Sequence, residues 1–543
     1  TLAFGAFLPL LNSETITRGS ANYITDFTYG RFYDSPTQIV ESGELSRTTD
    51  ITYFEDLTLG NYIIGKPLAT TFTSGTQTKR ITNSYDSKGN IVSVDKYGVT
   101  TEFSYHPDGN LAWEKNARGF YTHFDQYNFG VAGLTKYGSS AASAEDSVYT
   151  ETRTINWEGT IASLTDGRGN QTLFNYDVLN RLTSVTPPPS GEAQTLITYD
   201  NVSGRDYIIK KGVSEIRYSS DGFGKPIGAQ SNVGVDTEIR YDECGRRIYE
   251  SLPFAFDNST PNTGDSFTYD ELVRVKRITH PDNTSINYSY SGNTVTIDNE
   301  RNLATTYNFK SFGDPEDKRL SSIKDAQNIT TSYEHDLLGN ITRVDLPIGG
   351  DRVFTYNSKN FLASENNPES GTTNYLYDEI GNVISKTNAD SKTINYQYDS
   401  LNRLTFIDHP GGEDDVTYAY DNANNRILME GSSGSYSYSY LHDQSNRLTR
   451  QNVILGGISY SVDFVYDERN NLIKSIYPSG EVVSYNYDPG NRLLDIFDSA
   501  NVLYVGQIFY HPSGAPTHYV NANSVSSDFT YDSNHRLKSL KVS

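Results

Sequence analysis

The run YDEIGNV at Tyr377, followed by YDSLNRL at Tyr398 and YDNANNRI at Tyr420, decides how the rest of this chain is read. Each phrase is Tyr-Asp, two variable residues, Gly or Asn, Asn or Arg, then Leu, Ile or Val. Outward from it, the phrase recurs as YDSKGNI at Tyr85, YHPDGNL at Tyr105, YDVLNRL at Tyr176, YDECGRRI at Tyr241, YDELVRV at Tyr269 and YNSKNFL at Tyr356. It continues as YDERNNL at Tyr466, YDPGNRL at Tyr487, YHPSGAP at Tyr510 and YDSNHRL at Tyr531, with His replacing Tyr in HDLLGNI at His335 and HDQSNRL at His442. From position 335 the steps are 21, 21, 21, 22, 22, 24, 21, 23 and 21 residues. A fixed step of this kind marks internal structural repeats.

Each unit has a second half, such as IYPSGEVVSYNY before Tyr487 or DGRGNQTLFNY before Tyr176. A turn rich in Pro, Gly and Asp precedes residues that alternate at period two and are heavy in Tyr, Thr, Val and Ile, the pattern of a strand. The Asp-x-x-Gly-Asn phrase predicts a turn, because Asp bonds nearby backbone N–H groups and Gly or Asn tolerates positive φ. One unit is therefore strand, turn, strand, turn. Helical signals are nearly absent, with only stretches such as LSSIKDAQN able to form a turn of helix.

Length and composition fit this reading. The 543 residues would allow three or four ordinary domains or one large repetitive one. The hydrophobic share is 36%, including 42 Tyr. Counted with Gly and without Tyr it is again about 36%, against roughly 45–50% for ordinary globular chains. The longest apolar candidate, Leu2 to Leu11, is interrupted by Gly5 and Pro9 and is about half of what a membrane span needs. It lacks a basic n-region, and the opening at Thr1 is read as an excerpt from something longer. Cys244 stands alone, which excludes internal disulfides and cysteine zinc sites. A net charge of −22 argues against binding a nucleic-acid backbone, and 68 aromatic residues argue against disorder.

The histidines are the natural acid–base or metal candidates. His335 and His442 occupy the Tyr slot, His106 and His511 the Asp slot, and His280 and His409 open second turns; His535 sits within a turn. His123 and His518 fall in strand-like text, and no ligand-spaced pair occurs. The repeated Asp residues have a sufficient role in turns, and phrases such as Asp86-Ser-Lys-Gly-Asn lack the further carboxylates of a calcium loop. GxSxG is absent, and the Gly222-to-Lys225 turn lacks the spacing of a phosphate loop. Tyr436, Tyr438 and Tyr440 alternate and would share one face, suited to stacking on sugar rings. Packing is the simpler account of the tyrosines, with the ring on the neighbouring hairpin and the hydroxyl reaching water. The sequon at Asn258 carries no weight in so Asn- and Thr-rich a chain. No residue is assigned a catalytic, cofactor-binding or metal-binding role, and no cofactor is expected.

These motifs resemble the YD-repeat, or Rhs-repeat, family over roughly residues 80 to 543. Members include bacterial Rhs and WapA-like polymorphic toxins, shell-forming subunits of insecticidal toxin complexes, and animal teneurins. The resemblance implies an all-β fold of consecutive antiparallel hairpins of about 21 residues, spiralling into a large hollow shell. In bacterial members that shell encloses a toxic polypeptide; in teneurins it is an extracellular adhesion scaffold. Toxin members also carry a C-terminal signature of the DPxGL type linked to self-cleavage, whereas YDPGNRL at Tyr487 reads as an ordinary repeat.

The expected organisation is one continuous domain, with degenerate copies over 1–80 and regular repeats over 81–543, and inserted loops near 132–150, 187–191 and 253–265. The expected function is a container or scaffold for a toxin or other polypeptide, secreted or at the cell surface, monomeric, and without catalysis of its own. Its partners would be an enclosed polypeptide or flanking domains, with a glycan as a further candidate, and neither nucleic acid nor a membrane span. Two alternatives stand beside it: a polysaccharide lyase using His123, His409 or a nearby Tyr, and an adhesion or glycan-binding module.

Overall fold

The computed structural model describes residues 10–18, 21–30, 35–57, 63–200, 206–256, 263–412, 415–432, 434 and 436–543. Residues 2–9 of the apolar N-terminal stretch and residues 257–262 of the 253–265 loop, Asn258 among them, lie outside them. The described residues form 48 strands and no helix. LSSIKDAQN, the helical candidate, is split between the strand Lys318–Lys324 and the turn that follows.

Strands pair antiparallel with their neighbours in sequence. Gly371–Tyr377 pairs with Val383–Thr387, which pairs with Thr393–Tyr398, which pairs with Leu404–Asp408. The register slips at the same place in each repeat, between the residue before the Tyr and the Tyr itself, as at Leu376/Tyr377, Gln397/Tyr398, Val465/Tyr466 and Asn486/Tyr487. Such a bulge arises when a type I turn ends in a residue with positive φ. That residue is the Gly or Asn of the phrase: Gly89 at φ 82° and Asn402 at φ 64°, for example. The turn chemistry read from the sequence is therefore what shapes the hairpin.

The chain divides into two compact units, one of Thr1–His123, Tyr137–Ser147 and Asn287–Pro410, the other of Phe124–Lys136, Val148–Ile286 and Gly411–Ser543. Each unit thus combines an early stretch of ribbon with a late one. Within the 132–150 stretch, Leu134–Ser139 is a strand, and Asp146 gathers the Ser139 and Ser140 side chains in the turn after it. Few side chains are fully buried. The hydrophobic ones among the described residues include Tyr23, Phe267, Phe312, Leu337 and Ile508, while most strand residues are half-buried on both faces. Low apolar content matches strands of this kind, because amphipathic rings rather than Leu and Met cover a sheet wetted on both sides.

Candidate functional site

The feature that recurs with defined chemistry is the Tyr-Asp turn. The Asp carboxylate staples it. In the copy at 399, Asp399 Oδ1 accepts the backbone N–H groups of Leu401 and Arg403 at 2.9 Å each, and Oδ2 accepts Arg403 Nε at 2.7 Å. Where Asn stands for Arg, the amide takes the same place, as Asn382 Nδ2 does on Asp378 Oδ2 at 2.8 Å. The Arg181 hydrogen bond holds the Asp177 carboxyl below its ordinary 3.8, and Asp242 and Asp270 are lowered by their Arg246 and Arg274 bonds in the same way. His511 imitates the Asp, its Nδ1 accepting the Ser513 N–H at 3.2 Å.

The Tyr ties each repeat to the one before it. Tyr398 Oη donates to the Val383 carbonyl at 3.0 Å, Tyr487 to Leu472 at 3.0 Å, Tyr466 to Leu448 at 2.9 Å and Tyr510 to Leu493 at 2.6 Å. The acceptor is the aliphatic residue that closes the preceding Tyr-Asp phrase. The sequence reading placed these hydroxyls toward water; the structure adds a carbonyl of the preceding repeat as their hydrogen-bond acceptor. Burial accordingly raises the Tyr398, Tyr466 and Tyr487 hydroxyls above their ordinary 10.0. Adjacent turns are also joined side by side. Asn471 Nδ2 donates to Asn491 Oδ1 at 2.9 Å, and in Arg copies the guanidinium lies over the next tyrosine, with Arg181 4.0 Å from the Tyr199 ring centre.

A longer-range contact recurs inside each unit. The turns opposite the Tyr-Asp edge in the early stretch dock on Tyr-Asp turns of the late stretch. In the first unit Arg118, from NARG, donates to the carbonyls of Tyr398 and Asp399 at 3.1 and 2.9 Å and to Asn402 Oδ1 at 2.7 Å, and pairs with Asp378 at 3.3 Å. Gln77 Oε1 accepts the Leu337 N–H at 2.6 Å, and Lys79 Nζ donates to the Ser358 carbonyl at 3.0 Å. In the second unit Arg168, from DGRG, repeats the arrangement, donating to the His442 carbonyl and Asn446 Oδ1 at 3.1 and 3.2 Å. Ser190 and Ser445 hydroxyls meet at 2.6 Å, and Asn470 Nδ2 donates to Glu192 Oε1 at 2.9 Å. Neither arginine was singled out from the sequence. Their shared x-x-Arg-Gly setting was visible, but nothing local marks the partner 280 residues away.

The residues weighed as chemical candidates are dispersed. His123 stacks on Tyr121 with ring centres 5.6 Å apart and places Nε2 3.1 Å from the Ala141 carbonyl oxygen. His409 opens the turn after the strand Leu404–Asp408. His280 and His518 pair through Nδ1 with Asp265 and Asp528 at 2.8 and 2.7 Å. His511 and His535 meet edge to face, 4.3 Å between centres. Tyr436 and Tyr438 share a face, 6.1 Å between ring centres, and Arg426 sits 5.0 Å from the Tyr440 ring. Among the described residues, no three His, Cys, Asp or Glu side chains converge as a metal site would need. Nor is any helix long and apolar enough to cross a membrane. Cavities in the first unit lie between docked edges, one of about 620 Å³ lined by Lys96, Tyr97, Phe103, Leu338 and Phe361.

Comparison with known proteins agrees with this architecture. The family described as RHS Repeat matches residues 377–414 and 466–496. No curated protein matches the chain. Among solved structures, a crystal structure of TcdB2-TccC3 aligns with a TM-score of 0.74 at 12% identity, over 96% of this chain and 37% of that one. A TcdB2-TccC3-Cdc42 structure aligns with a TM-score of 0.78 at 11% identity, over 96% and 40%. A Tc holotoxin pore of Photorhabdus luminescens, carrying a TccC3 mutation, gives 0.78 at 11%, over 96% and 39%. The chain spans about two fifths of the length of these chains.

Proposed function

We propose, from the RHS Repeat match at residues 377–414 and 466–496 and the repeat phrases around it, that this chain is a YD-repeat protein and forms part of the wall of a hollow β-shell that encloses a polypeptide for delivery. The observation that carries this reading is the likeness in fold, along 96% of the chain, to structures described as TcdB2-TccC3 and as a Tc holotoxin pore. The repeat chemistry supports it. Asp staples, tyrosine ties and edge docking all hold wall to wall, and the candidate histidines are spent on turns and strand contacts. The chain is proposed to act as a monomeric, continuous wall without catalysis of its own, secreted or exposed at the cell surface, with an unfolded or isolated polypeptide as its partner.

Cryo-electron microscopy of the longest natural form of the protein, with limited proteolysis of any enclosed segment, tests this. The expected result is a lumen holding protease-protected polypeptide; a solid interior overturns it. Incubation with anionic polysaccharides, followed by absorbance of an unsaturated product, tests the lyase alternative. Turnover that disappears on His123→Ala or His409→Ala would replace the container reading. Binding without turnover on a glycan array would point to the adhesion module.

A further inference from the structure

Two departures from the repeat's own rules meet at one cavity of the first unit. The phrase at Tyr356 carries Asn357 where most copies carry Asp, and Phe361 where most carry Asn or Arg. That turn therefore lacks the stapling carboxylate, and an aromatic ring replaces the group that caps it elsewhere. The second departure is Tyr97, which opens the two-residue turn between Lys96 and Val99 at φ 61°. Comparable turns open on glycine: Gly75 at φ 56°, Gly212 at φ 57° and Gly292 at φ 57°. A bulky residue in this region is strained, and such strain concentrates at ligand clamps.

Tyr97 and Phe361 both line the cavity of about 620 Å³, a volume suited to a small molecule. One wall is a sheet face. Val99, Thr101 and Phe103 alternate along the strand Val99–Tyr105, and Lys96 and Val94 stand opposite Val99 and Thr101 in register, so all five share that face. The other wall is made by three successive Tyr-Asp turns, through Leu338, Phe361 and Ile380. Such turns, two strands apart, stand about 10 Å from one another, so the cavity is a crevice roughly 20 Å long. Its cations gather at the Tyr97 turn. Lys79 Nζ lies 5.7 Å from the Tyr97 ring centre and donates to the Ser358 carbonyl at 3.0 Å, and Lys359 pairs with Glu379. Lys96 Nζ is 5.8 Å from the same ring, and among the described residues no carboxylate pairs with it. Past Val99, Thr101 and Ile380 the crevice continues into a second cavity, of about 450 Å³, which Glu114 lines. Glu114 stands opposite Phe103 in register, and burial raises its carboxyl above the ordinary 4.5. An anion is thus drawn to the lysine end and repelled from the other.

We propose that this crevice binds a chain-like apolar carboxylate, with its carboxylate on Lys96 and its apolar body laid along Val99, Phe103, Phe361 and Ile380. Hydrophobic burial supplies the affinity and the single ammonium fixes the direction in which the chain lies. Plain space left between docked edges would behave differently, since it would not distinguish head groups of opposite charge.

Isothermal titration of the full chain with sodium decanoate tests this, with decyltrimethylammonium and decanol as comparison probes. The expected result is saturable binding of decanoate at one site, about tenfold tighter than either comparison probe. Lys96→Met keeps the stem and removes the charge at an exposed position, so its folding is not at issue. It should weaken decanoate about tenfold and erase the advantage over decanol. Val99→Trp, which fills the crevice, should abolish binding. Amide exchange should slow on adding decanoate at 94–103 and 359–362, while 443–447 keeps its rate. Absence of binding at millimolar decanoate overturns the proposal, as does an affinity that Lys96→Met leaves unchanged. So does equal affinity for decyltrimethylammonium, or slowing spread over both units, which is the mark of surfactant adsorption.

Discussion

Asp399 shows how much one side chain does in this fold: two backbone donors and one guanidinium converge on a single carboxylate. Asp399→Ala would leave those donors unmatched and is expected to cost about 2 kcal/mol, whereas Tyr398→Phe, which removes only the hydroxyl bond to Val383, should cost about 1 kcal/mol. Chemical denaturation of the two variants under matched conditions checks the order. The reverse effect belongs to Val273, a β-branched residue held at φ 64° where most copies of the repeat carry Gly or Asn. Val273→Gly is expected to raise stability by about 1 kcal/mol by relieving that conformation, and an unchanged midpoint would refute the idea. At this scale the sequence was highly legible. The Asp-x-x-Gly-Asn phrase announces its turn because every partner lies within four residues. The acceptor of the tyrosine hydroxyl was missed because it sits 15 residues back, on a carbonyl that no side-chain pattern reveals.

Between elements, two kinds of joint hold the ribbon. Neighbouring strands share ladders, and the opposite-edge turns of the early ribbon rest on Tyr-Asp turns of the late one. Arg118→Ala should loosen the second kind alone, speeding amide exchange at 398–402 while leaving 443–447 unchanged. Gly167 is the matching element in the second unit, where any Cβ would collide with the Asn422 carbonyl oxygen. Gly167→Ala is expected to cost about 1–3 kcal/mol and to raise exchange at 421–425, because backbone on both sides has little room to yield. Strand order was readable from the 21-residue step, since nearly every strand pairs with the next; the exception is the short Phe254–Ala255, which pairs back with Val235–Tyr241. The edge joints were not, because which turns meet depends on how the whole ribbon curves, and Arg118 looks like any other surface arginine.

At the scale of the whole chain, acid should act in two stages. Burial lowers His335, His442, His511 and His535 below their ordinary 6.5. The unfolded chain therefore takes up those protons first, so their contribution is complete above pH 6.5 and declines as pH falls below it. The stapling carboxylates Asp177, Asp242 and Asp270, lowered from 3.8, add a second loss below about pH 4. The denaturation midpoint measured from pH 8 to pH 3 should show both. His442→Tyr, restoring the usual residue of the slot, should make the first decline shallower, and a slope unaltered by it would exclude that histidine as a source. A last consequence follows from the edge joints, in terms of copy number. Removing one repeat between Asn287 and Tyr398 would leave every ladder intact, yet it would slide the late courses sideways by one brick. Arg118 would then face the turn at Asp421 instead of the one at Asp399, and every mortar line after it would be out of step. A protein that adds or drops repeats during its history can therefore do so freely only at the end of a course; elsewhere, the layer beneath keeps count.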